Sequence, residues 1–530
     1  MKFKSIAALL AGSAIFVAAP AWAQDPAPAQ NQPVPTEPDP SDAAADAVIA
    51  NAKAVDEAQA KIELLQAQIE ALQASVEQVK ASMVKATPSW KGGPQWDDKE
   101  AGFSFKPKGL IQWDAGYTGF PRGNQLRGTI IGGLNYANLG WDTRARRLTI
   151  GADGTLPGGF RYSAEFNFAQ GAVDYEDIFL AYDVHNSPVT LQAGYFYPFS
   201  SLETMTSSKF TSFLERASIH DAFSYNRRLG IAFLANDKKT DRWTFQAGLF
   251  SEPLNNGSFT RTGWQASARG VFSPTLGAAR LHLGANFEHR ENTREALGAN
   301  YQTRPLSQLT DQRFVSTGNI AAKGDDVAGV ELGAIYKSFH FAAEGQKVWL
   351  HKTFTAAQIA NLNADLDTND TPLGTGYNGN PSFWGGYAEV GYYFTGESRG
   401  YKGGRWDRTK VLHPFNEGGW GALQLNGRVD YVQLSDRVDG SSSSVAAPYY
   451  VNGGKQIAYQ GSLIWIPIDY VRFMAQYGHI DVTGGPRASV STAANPTQAQ
   501  LGMFPFGTTT PANRRKYGVD TWGVRAQVDF

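Results

Sequence analysis

Apolar and polar side chains alternate in one segment after another from about residue 101 to the last residue printed. The final segment is the clearest case, and its apolar members are Trp522, Val524, Ala526, Val528 and Phe530. Because successive side chains of a strand point to opposite faces, such a segment predicts a strand with one apolar and one polar face. The same period of two returns at 160–168, 243–249, 281–288 and 423–431. The sequence therefore predicts a long succession of two-faced strands.

The connections between these strands differ in length. Short turns at 156–159 and 236–241 contrast with long polar stretches at 290–326, 352–383 and 484–515. A soluble β-sandwich also has strands with one wet face, but about 430 residues without a helix between strands exceed its usual size. Short turns at one end and long loops at the other are typical of bacterial outer-membrane barrels.

We therefore predict an all-β fold, a transmembrane antiparallel β-barrel of about 16 strands over residues 101–530. A barrel of about this size encloses a water-filled lumen. Its last strand is expected to pair with its first near residues 103–117. A strand that ends at an aromatic carboxyl-terminal residue, here Phe530, resembles the closing strand of such barrels.

Residues 1–23 predict a secretory signal peptide. A basic start at Met1–Lys4 precedes an apolar run from Ile6 to Ala19 and a small-x-small cleavage site at Ala21–Ala23. That run is too short to cross a bilayer, and no later stretch approaches the roughly 18 apolar residues of a transmembrane helix. Residues 24–45, rich in Pro, Ala and acidic side chains, predict a flexible linker. The chain is thus expected to be exported to the bacterial outer membrane.

Residues 46–86 change to the three-and-four spacing of a helix. Apart from Asn51, the stripe consists of Val48, Val55, Ala58, Ile62, Leu65, Ile69, Leu72, Val76, Val79 and Met83. This narrow stripe over about five heptads predicts a self-associating coiled coil in the periplasm. An amphipathic helix lying on the barrel is the alternative. Residues 87–100, which contain Gly92, Gly93 and Pro94, predict a second linker.

Composition argues against several functions. The 48 basic and 49 acidic residues leave a formal net charge of −1, so no nucleic-acid partner is expected. The absence of Cys removes disulfides and thiol chemistry. The spacing Gly396-Glu-Ser-Arg-Gly400 matches a nucleophile elbow, but the chain continues as a loop instead of a helix. We predict no enzyme, no metal and no cofactor; a lipid-directed barrel enzyme and a structural envelope tether through the coiled coil are the competing classes.

The polar face of the predicted strands carries many charges. Its basic residues are Arg147, Arg161, Arg228, Arg242, Arg269, Arg280, Arg428, Arg472 and Arg525. Its acidic residues are Asp153, Glu165, Glu288, Glu331, Glu344, Asp430 and Asp529. Arginine is always ionised and binds phosphate or carboxylate oxygens with two donors, so an arginine-lined lumen favours anions. The alternative is that these residues pair with one another and keep a wide lumen rigid.

The segment 197–228 between two predicted strands carries the most specific pattern. Its apolar residues Phe210, Phe213 and Leu214 favour folding into the lumen over exposure to water. Its motifs are Pro198-Phe-Ser200, Glu203, Thr206-Ser-Ser208, Phe213-x-Glu215-Arg216 and Arg227-x-Leu229-Gly230. An earlier strand contains Arg144-x-Arg146-Arg147 and Gly151-x-Asp153-Gly154. With these motifs, residues 101–530 resemble the phosphate-selective porin O/P family.

The resemblance implies a passive trimeric channel of 16 strands, narrowed by the inward segment and lined by basic residues that attract anions such as phosphate. By motif, the constriction corresponds to Arg147, Lys209, Arg216, Arg227 and Arg228. The alternation of faces adds the secondary lumen arginines Arg161, Arg242 and Arg269. The expected partners are outer-membrane lipid, lipopolysaccharide, small anions and further copies of the chain.

One position departs from the family pattern. Members of the family commonly carry a basic residue just before the Pro-Phe pair, where this chain has Tyr195-Phe-Tyr197. A general or organic-solute porin with weak selectivity therefore stays open beside a phosphate channel.

Overall fold

The computed structural model describes residues 40–86, 89–90, 94–98, 100–119, 139–251, 263–292, 298–364, 374–437, 450–485 and 516–530. The chain divides into two compact units between Ser82 and Met83. The predicted signal peptide at 1–23 and most of the predicted linker at 24–45 lie outside the described residues.

The first unit contains the helix α1, Pro40–Ala86, except for its last four residues. It begins before the predicted residue 46, because the alanine-rich turn that precedes this position favours a helix and Pro40 is tolerated in a first turn. The stripe is exposed over its described side chains, which are Val48, Val55, Ile62, Leu65, Ile69, Leu72 and Val76, each 54–68 % accessible. Within the part of the chain that is described, no helix combines the length and hydrophobicity needed to cross a membrane.

The second unit is a closed antiparallel barrel of 16 strands, as predicted. The first eight are β1 (Phe103–Thr118), β2 (Gly140–Leu156), β3 (Phe160–Asn167), β4 (Asp174–Asp183), β5 (Val189–Phe196), β6 (Arg228–Asn236), β7 (Trp243–Phe250) and β8 (Trp264–Phe272). The others are β9 (Ala279–Glu291), β10 (Ala322–Tyr336), β11 (Phe339–Thr353), β12 (Ser382–Tyr393), β13 (Ala422–Arg437), β14 (Tyr450–Ile468), β15 (Val471–Thr483) and β16 (Lys516–Asp529). Each strand pairs with the next in sequence.

The barrel closes between β16 and β1. Their register runs from Thr521 opposite Thr118 to Asp529 opposite Leu110, which confirms the predicted pairing of last and first strands. Phe530 and Gly109 extend the seam by exchanging two backbone hydrogen bonds of 3.1 Å. A Cβ atom at position 109 would lie 2.4 Å from the Phe530 ring, so a larger residue there would displace this ring. The closed sheet excludes the sandwich alternative.

Side chains alternate between the two faces of the barrel as the sequence predicts. On β16, Trp522 and Val524 are 55 and 52 % exposed, whereas Arg525 and Gln527 are 2 % exposed. Outward aromatic residues lie near both ends of the barrel, for example Trp141, Trp264, Trp349, Trp384 and Trp522 at one end and Phe160, Trp243, Phe272, Phe339 and Phe473 at the other. This arrangement is typical of barrels whose outer surface faces lipid.

The two ends of the barrel differ in their connections. The terminal rim, which contains Phe103 and Phe530, carries short turns, with Thr275–Leu276 forming a short strand in one of them. The exception is the long connection 394–421 between β12 and β13, which contains the hairpin Gly400–Lys402 and Arg405–Asp407 and the 3₁₀ turn Phe415–Glu417. The prediction of only short turns at this rim is therefore wrong at one place.

The opposite end, the loop rim, contains Thr118 and Gly140 and carries the longer loops. Their short elements are the 3₁₀ turn Ala169–Gly171, the helices α2 (Leu202–Met205), α3 (Ser218–Phe223) and α4 (Ala356–Ala364), and the strand pair Gln302–Thr303 and Val315–Ser316.

The strand Pro94–Asp98 also corrects the predicted domain boundaries. It pairs with the start of β1, at Phe103–Phe105, and with the short strand Ser89–Trp90. The sheet therefore begins inside the segment 87–100 that the sequence predicts to be a linker, because Trp96 stacks on Phe105 with ring centroids 5.7 Å apart.

Candidate functional site

The inward loop, residues 197–227 between β5 and β6, crosses the lumen. Its apolar side chains Phe199, Leu202, Phe213, Leu214, Ile219 and Phe223 are at most 2 % exposed. The predicted burial of Phe213 and Leu214 is thereby confirmed, whereas Phe210 is only half-buried. With residues 299–322 of the loop rim, α3 builds an apolar cluster against β10–β15. The open part of the lumen therefore lies on the side of β1–β7.

Carboxylates of the far wall hold the inward loop. Glu389 on β12 accepts a hydrogen bond of 3.0 Å from the Ser212 hydroxyl. Asp430 on β13 accepts bonds of 2.7 and 2.9 Å from the amide and hydroxyl of Ser218. These acceptors are buried, so each carboxylate is used for structure and adds no free charge to the open lumen.

Arginines of the last two strands hold the loop by its carbonyl groups. Arg472 on β15 donates to the carbonyls of Lys209 (2.8 Å) and Thr211 (2.6 Å). Arg525 on β16 donates to the carbonyl of Leu214 (2.7 Å). Arg525 also pairs with Asp114, as the rigid-lumen alternative expects, whereas Arg472 is held by carbonyl groups and makes no ion pair among the described residues.

The connection 394–421 enters the lumen from the terminal rim and meets the inward loop. The Trp406 amide donates to the Thr206 hydroxyl (3.3 Å), and Arg405 donates to the Met205 carbonyl (3.4 Å). Arg269 on the barrel wall fixes the hairpin by donating to the Gly404 carbonyl (2.7 Å). Two segments from opposite rims thus narrow the same channel.

A cavity of about 1670 Å³ remains between these two segments and the wall formed by β1–β7. Counted over the described residues, its lining has twelve Lys and Arg side chains and eight Asp and Glu side chains. The basic ones are Lys106, Lys108, Arg146, Arg147, Arg161, Lys209, Arg216, Arg227, Arg304, Lys402, Arg405 and Arg408. The excess of cations gives the narrow part of the lumen a positive potential for mobile ions.

Arg147 reaches this cavity through an irregularity in β2. The pairing with β1 shifts register between Gln112 and Trp113, opposite Arg147 and Ala145. The extra residue turns both Arg146 and Arg147 toward the lumen. Arg147 donates to the side-chain oxygen of Gln112 (2.8 Å) and makes no ion pair with a carboxylate among the described residues.

Arg216 and Lys209 also line the cavity from the inward loop. Arg216 donates to the carbonyls of Glu203 and Thr206, both at 2.9 Å, so its charge is held in place by neutral groups. The Lys209 ammonium has neither a hydrogen bond nor an ion pair within the described ranges. Burial lowers the pKa of this amine below its ordinary value, and it outweighs the opposing charges of Asp529 and Glu165.

Arg227 and Arg228 have different surroundings from the other three predicted residues. Arg227 lines the cavity but pairs with Glu176 and, at 2.6 Å, with Asp177. Arg228 lies over the Tyr225 ring, 4.1 Å from its centroid, and is not part of the cavity lining. The structure therefore brings Arg147, Lys209, Arg216 and Arg227 together and leaves Arg228 beside them.

The acidic residues of the inward loop pair with arginines outside the predicted set. The pairs are Glu203 with Arg428, Glu215 with Arg146 and Arg525, and Asp221 with Arg304. Burial raises the pKa of Glu215, but the neighbouring Arg146 and Arg525 outweigh it and hold that pKa below its usual range. Among the described residues, none of these three carboxylates makes a direct ion pair with Arg147, Lys209 or Arg216.

Two titratable groups of the inward loop experience the positive potential. Burial lowers the pKa of His220 well below its ordinary value, and the charges of Arg216 and Arg428 add to this effect. Burial opposes ionisation of Tyr197, yet Arg227, Arg216 and Arg147 outweigh it and lower the pKa of the phenol. The Arg227 and Arg216 guanidinium groups lie 4.3 and 5.8 Å from the Tyr197 ring centroid.

The three secondary arginines lie at different places. Arg161 lines the cavity near the terminal rim and pairs with Asp183 at 2.7 Å. Arg269 faces inward but is 1 % exposed and pairs with Glu331 at 2.7 Å. Arg242 precedes β7 in an exposed turn and does not line the cavity. The strand begins one residue later, at Trp243, so Arg242 belongs to the turn and not to the wall of the cavity.

Seven basic residues of the cavity are not among the predicted site residues: Lys106, Lys108, Arg146, Arg304, Lys402, Arg405 and Arg408. Arg405 and Arg408 belong to the connection 394–421, whose length and three arginines between 399 and 408 were the available signal. A loop that folds inward has no periodicity that separates it from one in solvent, so sequence alone does not place it.

Comparison with known proteins gives consistent matches. A model of the phosphate-selective porin O and P family matches residues 135–503. An uncharacterized protein of Caulobacter vibrioides is 32 % identical over 83 % of this chain and 77 % of its own length. Porin O of Pseudomonas aeruginosa is 26 % identical over 73 % of this chain and 85 % of its own length. Among solved structures, an anion-selective porin from Comamonas acidovorans is 10 % identical, with a TM-score of 0.41 over 81 % of this chain and all of its own.

Proposed function

Because this chain belongs to the phosphate-selective porin O and P family, we propose that it is a passive outer-membrane channel that favours anions, such as phosphate or other small anionic solutes. The family consists of porins, which confirms the prediction of a channel instead of an enzyme. The anion preference rests on Arg147, Lys209 and Arg216, which line the cavity without a carboxylate partner among the described residues.

The geometry of these three cations suits transport. Arg147 and Arg216 are held by neutral oxygens, so their guanidinium groups keep donors for an anion while their positions stay fixed. Several sites of moderate affinity allow an anion both to enter and to leave, which conduction requires. Arg227 contributes less to the net field, because Glu176 and Asp177 balance its charge.

The same cations attract phosphate and other anions. Tyr197 replaces the basic residue that the family commonly carries there, and its ring offers a flat surface beside the arginines. Small organic anions with an aromatic part therefore fit the same site, and a general or organic-solute porin is the second candidate.

Single-channel recordings in planar bilayers test the proposal. We expect an anion-selective reversal potential in a KCl gradient, and phosphate should reduce the chloride current if it binds the same cations. Arg216→Gln and Arg147→Gln should each lower the anion-to-cation permeability ratio by about fivefold, since a charge about 8 Å from the ion path in water favours an anion by about 0.5 kcal/mol and disfavours a cation by the same amount.

Arg242→Gln is the matched control, because it removes the same charge at an exposed turn outside the cavity. Its permeability ratio should equal that of the wild type. A cation-selective or unselective wild-type channel would reject the proposal, and so would equal effects of Arg216→Gln and Arg242→Gln. Absence of a channel current would favour the tether function instead.

We further propose that the chain forms a homotrimer in a membrane of outer-membrane lipid and lipopolysaccharide, with α1 in the periplasm. The exposed stripe of α1 supports self-association, since the apolar residues listed above have no partner within this chain's described part. The outward wall of β3–β9 offers a second contact, an apolar groove of about 800 Å³ lined by Leu180, Leu191, Ile231, Phe233 and Leu249.

A further inference from the structure

Three ionisable residues meet on the outer wall of the barrel, away from the channel. They are His289 on β9, Asp326 on β10 and His351 on β11. His289 lies directly opposite Asp326 in the sheet, and His351 is two residues beyond Trp349, the partner of Asp326. Because side chains two residues apart share a face, the alternation of the strands brings all three to one outward patch.

The patch lies at the level of outward tryptophans near the loop rim. Trp264 stacks on His289 with ring centroids 5.1 Å apart, and Trp349 lies on the neighbouring strand. Such aromatic side chains mark the boundary between lipid and water. A carboxylate on the lipid side of a barrel is unfavourable unless it lies near this boundary and is balanced by a positive partner.

The donor atoms of the patch converge. His289 Nδ1 lies 2.6 Å from Asp326 Oδ1, and His351 Nδ1 lies 3.6 Å from Asp326 Oδ2. The two imidazole rings are parallel within 2°, with centroids 5.3 Å apart. One ligand atom from each residue lies within 4.8 Å of the others, so a single ion can approach all three. The side chains are 21–34 % exposed, which leaves a path from solvent.

His351 has no hydrogen-bond partner among the described residues. Both its ring nitrogens are shielded from solvent. Glu291 Oε1 lies 3.9 Å from His351 Nε2, beyond hydrogen-bond distance, and is itself held by Lys352 at 3.2 Å. A shielded imidazole with two unpaired nitrogens is unusual unless a further ligand satisfies one of them.

A second patch on the same wall provides an internal comparison. His479 on β15 binds Asp520 on β16 at 2.7 Å, also on the outward face. There a single histidine uses the neighbouring carboxylates Asp520 and Asp481, and no second histidine joins them within the described residues. The patch at His479 thus contains one imidazole beside its carboxylates, whereas the patch at His289 contains two imidazoles beside Asp326.

We propose that His289, Asp326 and His351 form a binding site for a divalent transition-metal ion, with zinc as the best-fitting ion. Two imidazoles and one carboxylate are a common ligand set for zinc, and water fills the fourth position of a three-ligand site. Nitrogen donors favour zinc, nickel or copper over magnesium and calcium, which prefer oxygen ligands.

Zinc titration of the untagged full-length protein in detergent tests the site, after metal has been removed with a chelator and with a chromogenic zinc indicator as competitor. We expect one zinc ion per chain for the wild type. Asp326→Asn and His351→Ala should each weaken binding at least tenfold, whereas His479→Ala should leave it unchanged. Heat-modifiable migration in SDS gels verifies that each variant is folded.

Cobalt binding to single cysteine variants gives a spectroscopic signal that a folding defect cannot produce. The chain has no Cys, so a cobalt–thiolate absorption band in His351→Cys can come only from the introduced residue. His479→Cys is the control and should show no band. Failure of the wild type to bind zinc in a one-to-one ratio, or equal loss in His479→Ala, would overturn the proposal; so would a folded His351→Cys without a band.

Discussion

Tyr197 lies where the positive charges of the channel are most concentrated. Arg216 and Arg227 face its ring, and with Arg147 they lower the pKa of its phenol despite burial. Lys209, on the same loop, has a lowered pKa mainly because it is buried. Both groups therefore titrate at a lower pH than the ordinary values of about 10 for tyrosine and 10.4 for lysine.

Anion selectivity should consequently decline as the pH is raised from 7 to 10. Ionised Tyr197 adds one negative charge, and deprotonated Lys209 removes one positive charge, so both changes act in the same direction. Reversal potentials measured across this range will show it. Tyr197→Phe should remove one part of the decline and Lys209→Met the other, while Arg242→Gln retains both. A selectivity that is constant over this range would contradict the assigned surroundings of both groups.

The arginine pair of β2 shows what strand alternation can and cannot predict. Alternation allows only one of two neighbouring residues to face the lumen, and the sequence analysis assigned Arg147 to the constriction. The register shift beside Ala145 turns Arg146 inward as well, where it pairs with Glu215 at 2.7 Å. A bulge adds a residue without changing composition, so the sequence pattern does not show it.

At the scale of elements, the channel is narrowed by two segments that depend on each other. Arg399 of the connection 394–421 donates to the Ser212 hydroxyl of the inward loop at 3.1 Å, and Trp406 bonds Thr206. The connection also carries Lys402, Arg405 and Arg408 to the cavity. It therefore supports the inward loop and adds positive charge on the side of the terminal rim.

Replacing residues 400–407 by a short Gly-Ser link should widen the channel and weaken its anion preference. We expect a larger single-channel conductance. The permeability ratio should fall about fivefold, because the replacement removes Lys402, Arg405 and Asp407, a net loss of one positive charge from the cavity. Deleting α4 (Ala356–Ala364), which belongs to a loop whose described residues do not line the cavity, is the control and should change neither quantity. Unchanged conductance in the 400–407 replacement would show that this segment does not narrow the conducting path.

At the scale of the whole molecule, the barrel was the more predictable part. Alternation of apolar and polar residues predicts the strands, because a barrel wall between lipid and water must have one apolar and one polar face. The predicted count of 16 strands is confirmed. The contents of the lumen depend on pairs far apart in sequence, such as Glu203 with Arg428. Composition and local spacing do not encode such pairs, so the family motifs supplied most of the site.

The helix α1 should contribute to assembly, because its stripe remains exposed in the single chain. Deleting residues 46–86 is expected to leave a trimer that dissociates at a lower temperature in detergent, since contacts between barrels bury more area than one helix per chain. Light scattering of the full-length and shortened proteins measures this. A monomeric full-length protein would refute the trimer, and an unchanged dissociation temperature would remove the helix from its stability.

The seam between β16 and β1 should be sensitive to one arginine. Arg525 binds both oxygens of Asp114, at 2.6 and 2.7 Å, and both side chains are at most 4 % exposed. Arg525→Gln leaves a buried carboxylate without its partner, which typically costs about 3–5 kcal/mol. We expect a lower urea midpoint for unfolding. Adding Asp114→Asn should recover part of the loss, and an equally unstable double variant would contradict this explanation.

Arg525 also donates to the Leu214 carbonyl, and Arg472 holds Lys209 and Thr211. These anchors belong to the last two strands along the chain, although the loop they fix comes after the fifth. During biogenesis the inward loop therefore lacks this support until those strands have been added and the sheet has closed. Closure of the barrel and positioning of the inward loop therefore occur together. An incompletely inserted barrel would let ions pass without selecting among them.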